Sequence, residues 1–271
     1  MIVGFIGFGE VASTLTKKLI EGKVEVMTSI EGRSENTKKL AELSGATVLD
    51  SYVELAAYSD ILISTVSPSE AIDVAQDYGT LSEGIFLDLN NISPISTMVI
   101  ANLFDKSDDD ISTNFIYPKR NSDKFIKGAI IGKISSPNSV IYLSGYNAQK
   151  LSFLSDCGLN IEIIGEDVEL ASYIKTLRSI YTKGVTAITY EAFSAARDLG
   201  LAKELCETLV LTEGDKMEDL AKSRINSFDG TKNRKFQEMG EVLEFLDYVY
   251  DENEFKSKFS MTNATKYKFE S

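Results

Sequence analysis

The first 100 residues alternate between short apolar runs and segments in which apolar side chains recur every three or four positions. Short apolar runs predict buried strands, and the recurring pattern predicts helices that pack on them. Strands that alternate with helices favour a parallel sheet covered on both faces, in a doubly wound α/β fold. The predicted strands are residues 2–6, 24–29, 46–49, 60–65 and 84–89, with helices after residue 9 and at 35–43, 52–58 and 70–78.

The middle of the chain is less regular. Residues 106–124 are polar and contain three consecutive aspartates, which predicts an exposed loop with at most a strand near 115–117. Strand patterns return at residues 129–134, 140–143 and 160–164. We therefore expect the α/β domain to occupy residues 1–164.

The pattern changes to helical after residue 165. Residues 167–199 contain no proline and one glycine, and apolar side chains recur around much of the helix circumference from Val168 to Ala192. This is typical of a long central helix. Further helical patterns at 202–211, 213–225 and 235–249 predict an all-α second domain, residues 165–271, which the long helix opens; the polar tail after Asp251 is expected to fray.

A glycine pattern lies where the first strand meets the first helix. In Gly7-x-Gly9-x-x-Ala12, Gly7 permits the tight turn, Gly9 lets the backbone approach a pyrophosphate, and Ala12 lets the helix pack on the strand. The free N–H groups and positive dipole end of the helix favour phosphate. A turn that serves packing alone is the alternative. The residues expected to contact a dinucleotide here are Gly7, Phe8, Gly9, Glu10 and Val11.

The end of the second strand indicates which dinucleotide binds. An acid there pairs with the ribose 2′-hydroxyl of NAD, whereas an arginine accommodates the 2′-phosphate of NADP. The strand ends in Ser29, and Arg33 and Ser34 can both bind a phosphate. Glu31 could instead serve a free 2′-hydroxyl, and both charged residues could simply face solvent. The charges favour NADP over NAD.

Polar residues also follow the fourth and fifth strands, at the sheet edge where ligands of such folds bind. Serines 67 and 93, each before a proline, are equally consistent with helix N-caps. Helix capping accounts less well for the two consecutive asparagines, Asn90 and Asn91. The candidates at this edge are Thr65, Val66, Ser67, Asn90 and Asn91.

Lys175 lies on the predicted long helix among apolar residues. Burial of an ammonium lowers its pKa, which suits a group that exchanges a proton with a carbonyl oxygen. A lysine that extends its ammonium to solvent from the helix edge is the alternative. Ser179 lies one helical turn further on, and Arg178 and Lys183 could bind a substrate carboxylate or face solvent.

Composition narrows the range of functions. The chain of 271 residues carries a net charge of −13 and has a sequence pI of about 4.6, which argues against nucleic acid as a partner. It has no long apolar stretch and no basic leader, so neither a membrane span nor a signal peptide is expected. Two isolated cysteines suit a reducing cytoplasm. The absence of histidine excludes His-based catalysis and His zinc sites, and no metal is expected.

The motifs together resemble those of the β-hydroxyacid dehydrogenases, in their 6-phosphogluconate-dehydrogenase-like branch, over essentially the whole chain. The resemblance rests on the glycine turn, on residues 88–94 (Asp-Leu-Asn-Asn-Ile-Ser-Pro) and on residues 170–184. It implies a Rossmann domain followed by an all-α domain, a homodimer, and Lys175 as general acid/base with Ser179 and Asn91 nearby.

The chain also departs from the family pattern. The family asparagine four residues after the lysine is Ser179, and the family Ser-Thr pair is Asn90-Asn91. The family substrate loop, Asp-Ala-Pro-Val-Ser-Gly-Gly, corresponds to residues 127–133, where Ile131 replaces the serine and Gly132 follows. We therefore expect an NADP-dependent oxidoreductase that acts on a hydroxy acid or related carbonyl compound. The alternatives are an imine-type reductase and a non-catalytic NADP-binding sensor or scaffold.

Overall fold

The computed structural model describes residues 1–104 and 122–229, together with positions 242, 245, 246 and 249. Most of the predicted loop at 106–124, the possible strand at 115–117, most of the predicted helix at 235–249 and the tail after Asp251 lie outside the described residues. The chain forms two compact units that meet in sequence between Lys175 and Thr176.

The first unit is built on one sheet of eight strands in the order β3-β2-β1-β4-β5-β6-β7-β8. Strands β1 to β6 are parallel, β7 is antiparallel to β6, and β8 is parallel to β7. The order of the first six strands is that of a dinucleotide-binding Rossmann fold, as predicted. The strands are β1 Ile2–Ile6, β2 Glu25–Ser29, β3 Thr47–Leu49, β4 Ile61–Ser64, β5 Ile85–Asp88, β6 Phe125–Ile131, β7 Val140–Ser144 and β8 Ile161–Gly165.

Two apolar cores lie on opposite faces of this sheet, because successive side chains of a strand point to opposite sides. Leu62 and Phe86 belong to one core, and their chain neighbours Ile63 and Leu87 belong to the other. Both faces of the central strands are thus apolar, which is why these strands read as continuous apolar runs. The helices of this unit are α1 Glu10–Glu21, α2 Glu35–Ser44, α3 Tyr52–Tyr58, α4 Ala71–Asp77 and α5 Pro94–Leu103.

Strand β6 begins four residues earlier than its sequence predicts. The pattern indicated residues 129–134, whereas the strand is Phe125–Ile131. Lys127 sits in its first half and is 1% exposed. A lysine in a central strand obscures the apolar run, and it is tolerated here because Asp88 on the neighbouring strand pairs with it.

The second unit is helical in its described residues, as predicted. Helix α6 (Leu170–Asp198) starts in the first unit and continues into the second, followed by α7 (Ala202–Glu213) and α8 (Met217–Asp229). Gly200, with φ of 72°, follows α6 in a left-handed conformation that favours glycine. Within the described residues, none of the helices combines the length and the apolarity that a membrane span requires.

Candidate functional site

The turn from β1 to α1 has the geometry that its two glycines predict. Gly7 has φ of 85°, and a Cβ there would lie 2.6 Å from the Thr65 carbonyl oxygen. The Thr65 hydroxyl donates to the Gly7 carbonyl, which ties the turn to the end of β4. At Gly9, by contrast, a Cβ would meet no atom within 4 Å. Gly7 is therefore required by the fold, whereas the space at Gly9 is open.

The N-terminus of α1 lacks a side-chain cap. The N-cap residues of helices α2, α3 and α5 are Ser34, Ser51 and Ser93, and each of these hydroxyls accepts a backbone N–H of its helix. Gly9 stands at this position in α1 and supplies no such acceptor. The first N–H groups of α1 consequently lie beside the open space, in the arrangement by which helix ends bind phosphate.

The side chains near this turn differ in what they can contribute. Phe8 is buried and packs edge-on against Phe5, so only its backbone can face a ligand. Val11 is partly buried against the same core. The Glu10 carboxylate lies 3.6 Å from the Lys133 ammonium, and both side chains are mostly exposed. A cation thus accompanies the one acidic group in the first turn of α1.

The loop after β2 contains the residues expected to distinguish NADP from NAD. Ser29 is buried, and its hydroxyl accepts the Glu31 backbone N–H at 3.2 Å, so it shapes the loop. The Ser34 hydroxyl caps α2 by accepting the Thr37 N–H at 3.3 Å. Glu31 Oε2 accepts the backbone N–H of Tyr52, the first residue of α3, at 3.4 Å.

The residues after β4 form a tight turn. The Glu70 carboxylate accepts hydrogen bonds from the Ser67 hydroxyl at 2.8 Å and from its backbone N–H at 3.4 Å. This is the capping arrangement that the sequence offered as an alternative for Ser67. Val66 packs against the core, and its Cγ1 would lie 2.8 Å from a Cβ on Gly7. The turn therefore forms a wall next to the glycine turn.

A buried polar network crosses three strands at the carboxyl edge of the sheet. Lys127 Nζ lies 2.6 Å from Asp88 Oδ1 and donates to the Asn90 carbonyl at 2.7 Å. The Asn90 side-chain amide donates to Ser64 Oγ at 2.8 Å and to Asp88 Oδ2 at 3.2 Å, while its backbone N–H donates to Asp88 Oδ1. Burial lowers the pKa of Lys127, and the Asp88 carboxylate opposes that change.

This network holds Asn90 by both its backbone and its side chain. The bonds to Ser64 and Asp88 set the amide orientation and leave Asn90 Oδ1 as a buried acceptor with no partner among the described residues. A buried polar atom without a partner is costly, so it is a candidate ligand contact. Asn91, the next residue, is partly exposed. Sequence reasoning selected the two asparagines but missed Ser64, Asp88 and Lys127, since only register brings these three together.

Two residues of the predicted substrate loop, Ile131 and Gly132, lie where β6 ends. Ile131 is its last residue and is partly buried, and Gly132, with φ of 87°, begins the connection to β7. β6 and β7 are antiparallel. Residues 127–131 of the predicted substrate loop are therefore part of strand β6 in this chain, and Gly132 begins the connection to β7.

The first turn of α6 is fixed to the sheet unit. The Ser144 hydroxyl at the end of β7 donates to the Val168 carbonyl at 2.7 Å and accepts the Ala171 N–H at 3.0 Å. The Ser172 hydroxyl pairs with that of Thr97 on α5 at 2.7 Å. Lys175 follows about one turn later, is partly buried, and belongs to the first unit. Sequence analysis selected neither Ser144 nor Ser172.

Three further predicted residues lie on α6 in the second unit. Arg178 is exposed, and Ser179 and Lys183 are partly exposed. Ser179 is four residues after Lys175, so it lies on the same side of the helix. Within the described part of the chain, no group of three or more acidic or cysteine side chains could hold a metal ion.

Comparison with known proteins identifies relatives of this chain. A family model described as NADP oxidoreductase coenzyme F420-dependent matches residues 2–92, which include the glycine turn, the β2 loop and the residues after β5. The matched segment is about a third of the chain. It supports the nucleotide-binding half of the sheet unit.

Two relatives match nearly the whole chain. An uncharacterised 28.5 kDa protein from Methanothermus fervidus is 43% identical over 246 residues, 91% of each chain. A conserved protein of unknown function, whose structure was described as similar to 3-hydroxyacid dehydrogenases, is 37% identical, with a TM-score of 0.75, and the match covers 92% of this chain and 90% of that one. This chain belongs to the β-hydroxyacid dehydrogenase family.

The fold of this chain, a member of the β-hydroxyacid dehydrogenase family, agrees with that of a solved 3-hydroxyisobutyrate dehydrogenase. The 3-hydroxyisobutyrate dehydrogenase of Mycobacterium tuberculosis matches 95% of this chain and 89% of its own, with a TM-score of 0.67 and 14% identity. At this identity the comparison supports the fold alone. The family resemblance predicted from the sequence is confirmed, and it is a family of NAD(P)-dependent oxidoreductases.

Proposed function

We propose that the protein is an NADP-dependent oxidoreductase that acts on a hydroxy acid or a related carbonyl compound. One observation carries the proposal: Gly9 and the uncapped N-terminus of α1 border open space at the carboxyl edge of the sheet. This is the edge at which nucleotides bind in doubly wound folds. Asn90 Oδ1, a buried acceptor without a partner in the described structure, is a second feature that fits a ligand at the same edge.

The residues expected to hold the dinucleotide belong to three strand ends. The backbone from Gly7 to Val11 would bind the pyrophosphate, the turn of Thr65 to Ser67 would line it, and Asn90 and Asn91 would support the nicotinamide end. These assignments follow from where doubly wound folds bind their ligands. NADP, when bound, supplies or accepts a hydride.

The β2 loop supports NADP over NAD. Arg33 is a partly buried guanidinium in that loop, and a guanidinium matches phosphate geometry. The carboxylate of Glu31, which could otherwise receive a ribose hydroxyl, accepts an N–H at the start of α3. Ser29 and Ser34 contribute to the loop through the bonds that shape it and cap α2. Arg33 is therefore the group assigned to the 2′-phosphate.

Lys175 is assigned the proton transfer. A general acid/base must exchange a proton with the substrate oxygen, and the chain has no histidine for this task. Lys175 is the cation nearest in sequence to the turn of α6 that Ser172 pins to the sheet unit. Ser179 would orient substrate from the same side of α6, and Arg178 and Lys183 would attract its carboxylate.

The residue that replaces the family serine bears on the substrate. In the family pattern a serine of the substrate loop holds a carboxylate, whereas this chain has Ile131. This replacement favours a substrate larger or less polar than a small 3-hydroxy acid. It also motivates one rival function, a non-catalytic NADP-binding sensor or scaffold. The other rival, an imine-type reductase, shares the fold and the cofactor but needs a different proton donor.

Calorimetric titration of the intact protein with NADPH and NADH tests the cofactor. We expect NADPH to bind more tightly. Arg33→Ala should weaken NADPH by about tenfold or more and leave NADH little changed, since a charge-assisted hydrogen bond is lost. Gly9→Val should weaken both, because its side chain would occupy the open space, while the free energy of unfolding stays near wild type.

Equal weakening of both cofactors by Arg33→Ala would contradict its assignment to the 2′-phosphate. Absence of binding by the wild-type protein would contradict the proposed function itself. If NADPH binds, a panel of hydroxy acids, imines and coenzyme F420, which the matching family model names, distinguishes an enzyme from a sensor. NADPH binding without turnover of any of these would favour the sensor.

A further inference from the structure

Tyr52 is a buried tyrosine that sequence analysis did not select. It is the first residue of α3 and is 7% exposed. Its ring packs against that of Tyr78, with the ring centroids 5.3 Å apart. Yet its hydroxyl has no hydrogen-bond partner among the described residues. Buried tyrosine hydroxyls ordinarily find one.

Tyr52 lies next to the loop that is predicted to bind the 2′-phosphate. Its backbone N–H donates to Glu31 Oε2, so the start of α3 lies against the loop that follows β2. Burial raises the pKa of the phenol; among charged groups, Arg33 lowers this pKa, and Glu31 and Glu70 raise it. Glu70 closes the turn after β4. Charged side chains of the loop after β2 and of the turn after β4 therefore both act on this phenol.

We propose that the Tyr52 hydroxyl donates a hydrogen bond to the 2′-phosphate of bound NADP, beside Arg33. This inference rests on the proposed NADP binding. A phenol and a guanidinium would give the phosphate one neutral and one cationic donor, and NADH lacks the group that both would bind.

The local chemistry keeps Tyr52 in the form that can donate. Burial raises the pKa of the Tyr52 phenol, and the nearby Arg33 partly offsets this rise. The phenol thus keeps its proton throughout the neutral range. A protonated hydroxyl beside a guanidinium is suited to an anion and unsuited to a cation.

The test compares Tyr52→Phe with Tyr58→Phe, which removes the same atom from the same helix at a side chain that is 54% exposed. Dissociation constants are measured for NADPH, NADH and adenosine 2′,5′-bisphosphate, the last being a probe that carries only the adenosine end. For Tyr52→Phe we expect NADPH and the bisphosphate to bind about tenfold more weakly, with NADH unchanged. Tyr58→Phe should leave all three unchanged.

Thermal unfolding without ligand provides a second readout. Because Tyr52→Phe removes a buried hydroxyl that has no partner, the ligand-free melting temperature should stay the same or rise. Unchanged NADPH affinity, or equal weakening of NADPH and NADH, would overturn the inference. Wild-type protein that binds neither NADPH nor the bisphosphate would instead refute the proposed cofactor, a separate and distinguishable result.

Discussion

Lys175 is the residue on which the proposed chemistry depends, and the neighbouring turn of α6 determines where its side chain lies. The Ser144 hydroxyl, which accepts the Ala171 N–H, and the hydroxyl pair of Ser172 and Thr97 attach the first turn of α6 to β7 and α5. A helix held in this way carries a side chain one turn further on at a reproducible position. Positioning of this kind is what a proton donor requires.

Replacement of Lys175 by alanine should lower kcat by about 10²- to 10⁴-fold, the usual contribution of a general acid/base. NADPH affinity should change little, since the cofactor contacts are assigned to the strand ends. Steady-state rates on the best substrate of the hydroxy acid panel, together with calorimetric binding, measure the two effects. Lys150→Ala, at an exposed lysine of the same unit, is the control. Turnover that survives in Lys175→Ala would remove the lysine from the mechanism.

At the scale of elements, one buried ion pair joins β5 to β6. Lys127 and Asp88 are 1% and 0% exposed, and their register places them opposite each other. Burial of two charges is unfavourable unless each is paired and hydrogen-bonded. Here both conditions hold, because Asn90 supplies further partners for each of the two charges.

Lys127→Met should therefore destabilise the fold by about 3–5 kcal/mol, since Asp88 would remain as a buried charge without a cation. The double variant Asp88→Asn/Lys127→Met should recover much of that loss. Lys124→Met is the matched control: its partner Glu83 is 95% exposed, and such surface pairs contribute about 1 kcal/mol or less. Urea unfolding measures all three. A cost for Lys127→Met no greater than that of the control would show that the pair is dispensable.

For the whole molecule, we propose a homodimer. Helix α6 carries an apolar stripe of Ile174, Leu177, Tyr181 and Ile188, whose spacing places them on one side of the helix. These side chains are between 41% and 67% exposed. An apolar helix face of this kind is a candidate for burial against a partner. The family resemblance also implies a dimer, so a second copy of this chain is the proposed partner.

Light scattering during size-exclusion chromatography tests this proposal. The wild-type protein should elute with the mass of a dimer, and Leu177→Glu/Tyr181→Glu should shift it towards the monomer, because charges on the stripe oppose its burial. Leu211→Glu on α7, at a side chain that is 86% exposed, should not. A wild-type monomer at micromolar concentration would contradict the dimer.

The differences between prediction and structure have a common origin. Apolar periodicity predicted the first five strands and the long helix, since each of these elements buries a continuous apolar surface. It misplaced the start of β6 because Lys127 interrupts the pattern, and a single sequence does not show which residue on another strand neutralises it. The same limit applies to the site. Gly7, Gly9 and Arg33 belong to local motifs that the sequence reveals, whereas Tyr52 belongs to no such motif.

The sequence by itself determined the α/β order, the glycine turn, the position of the candidate lysine on a helix, and the family. These are local properties, set by side-chain spacing and by backbone conformations that few residues adopt. The tertiary structure decided which polar groups share an environment. Strand register brought Lys127 to Asp88 and Asn90, and the packing of α3, whose first residue donates its backbone N–H to Glu31 in the β2 loop, left the Tyr52 hydroxyl buried without a partner among the described residues. Such proximity depends on packing between segments far apart in the chain, which one-dimensional patterns do not encode.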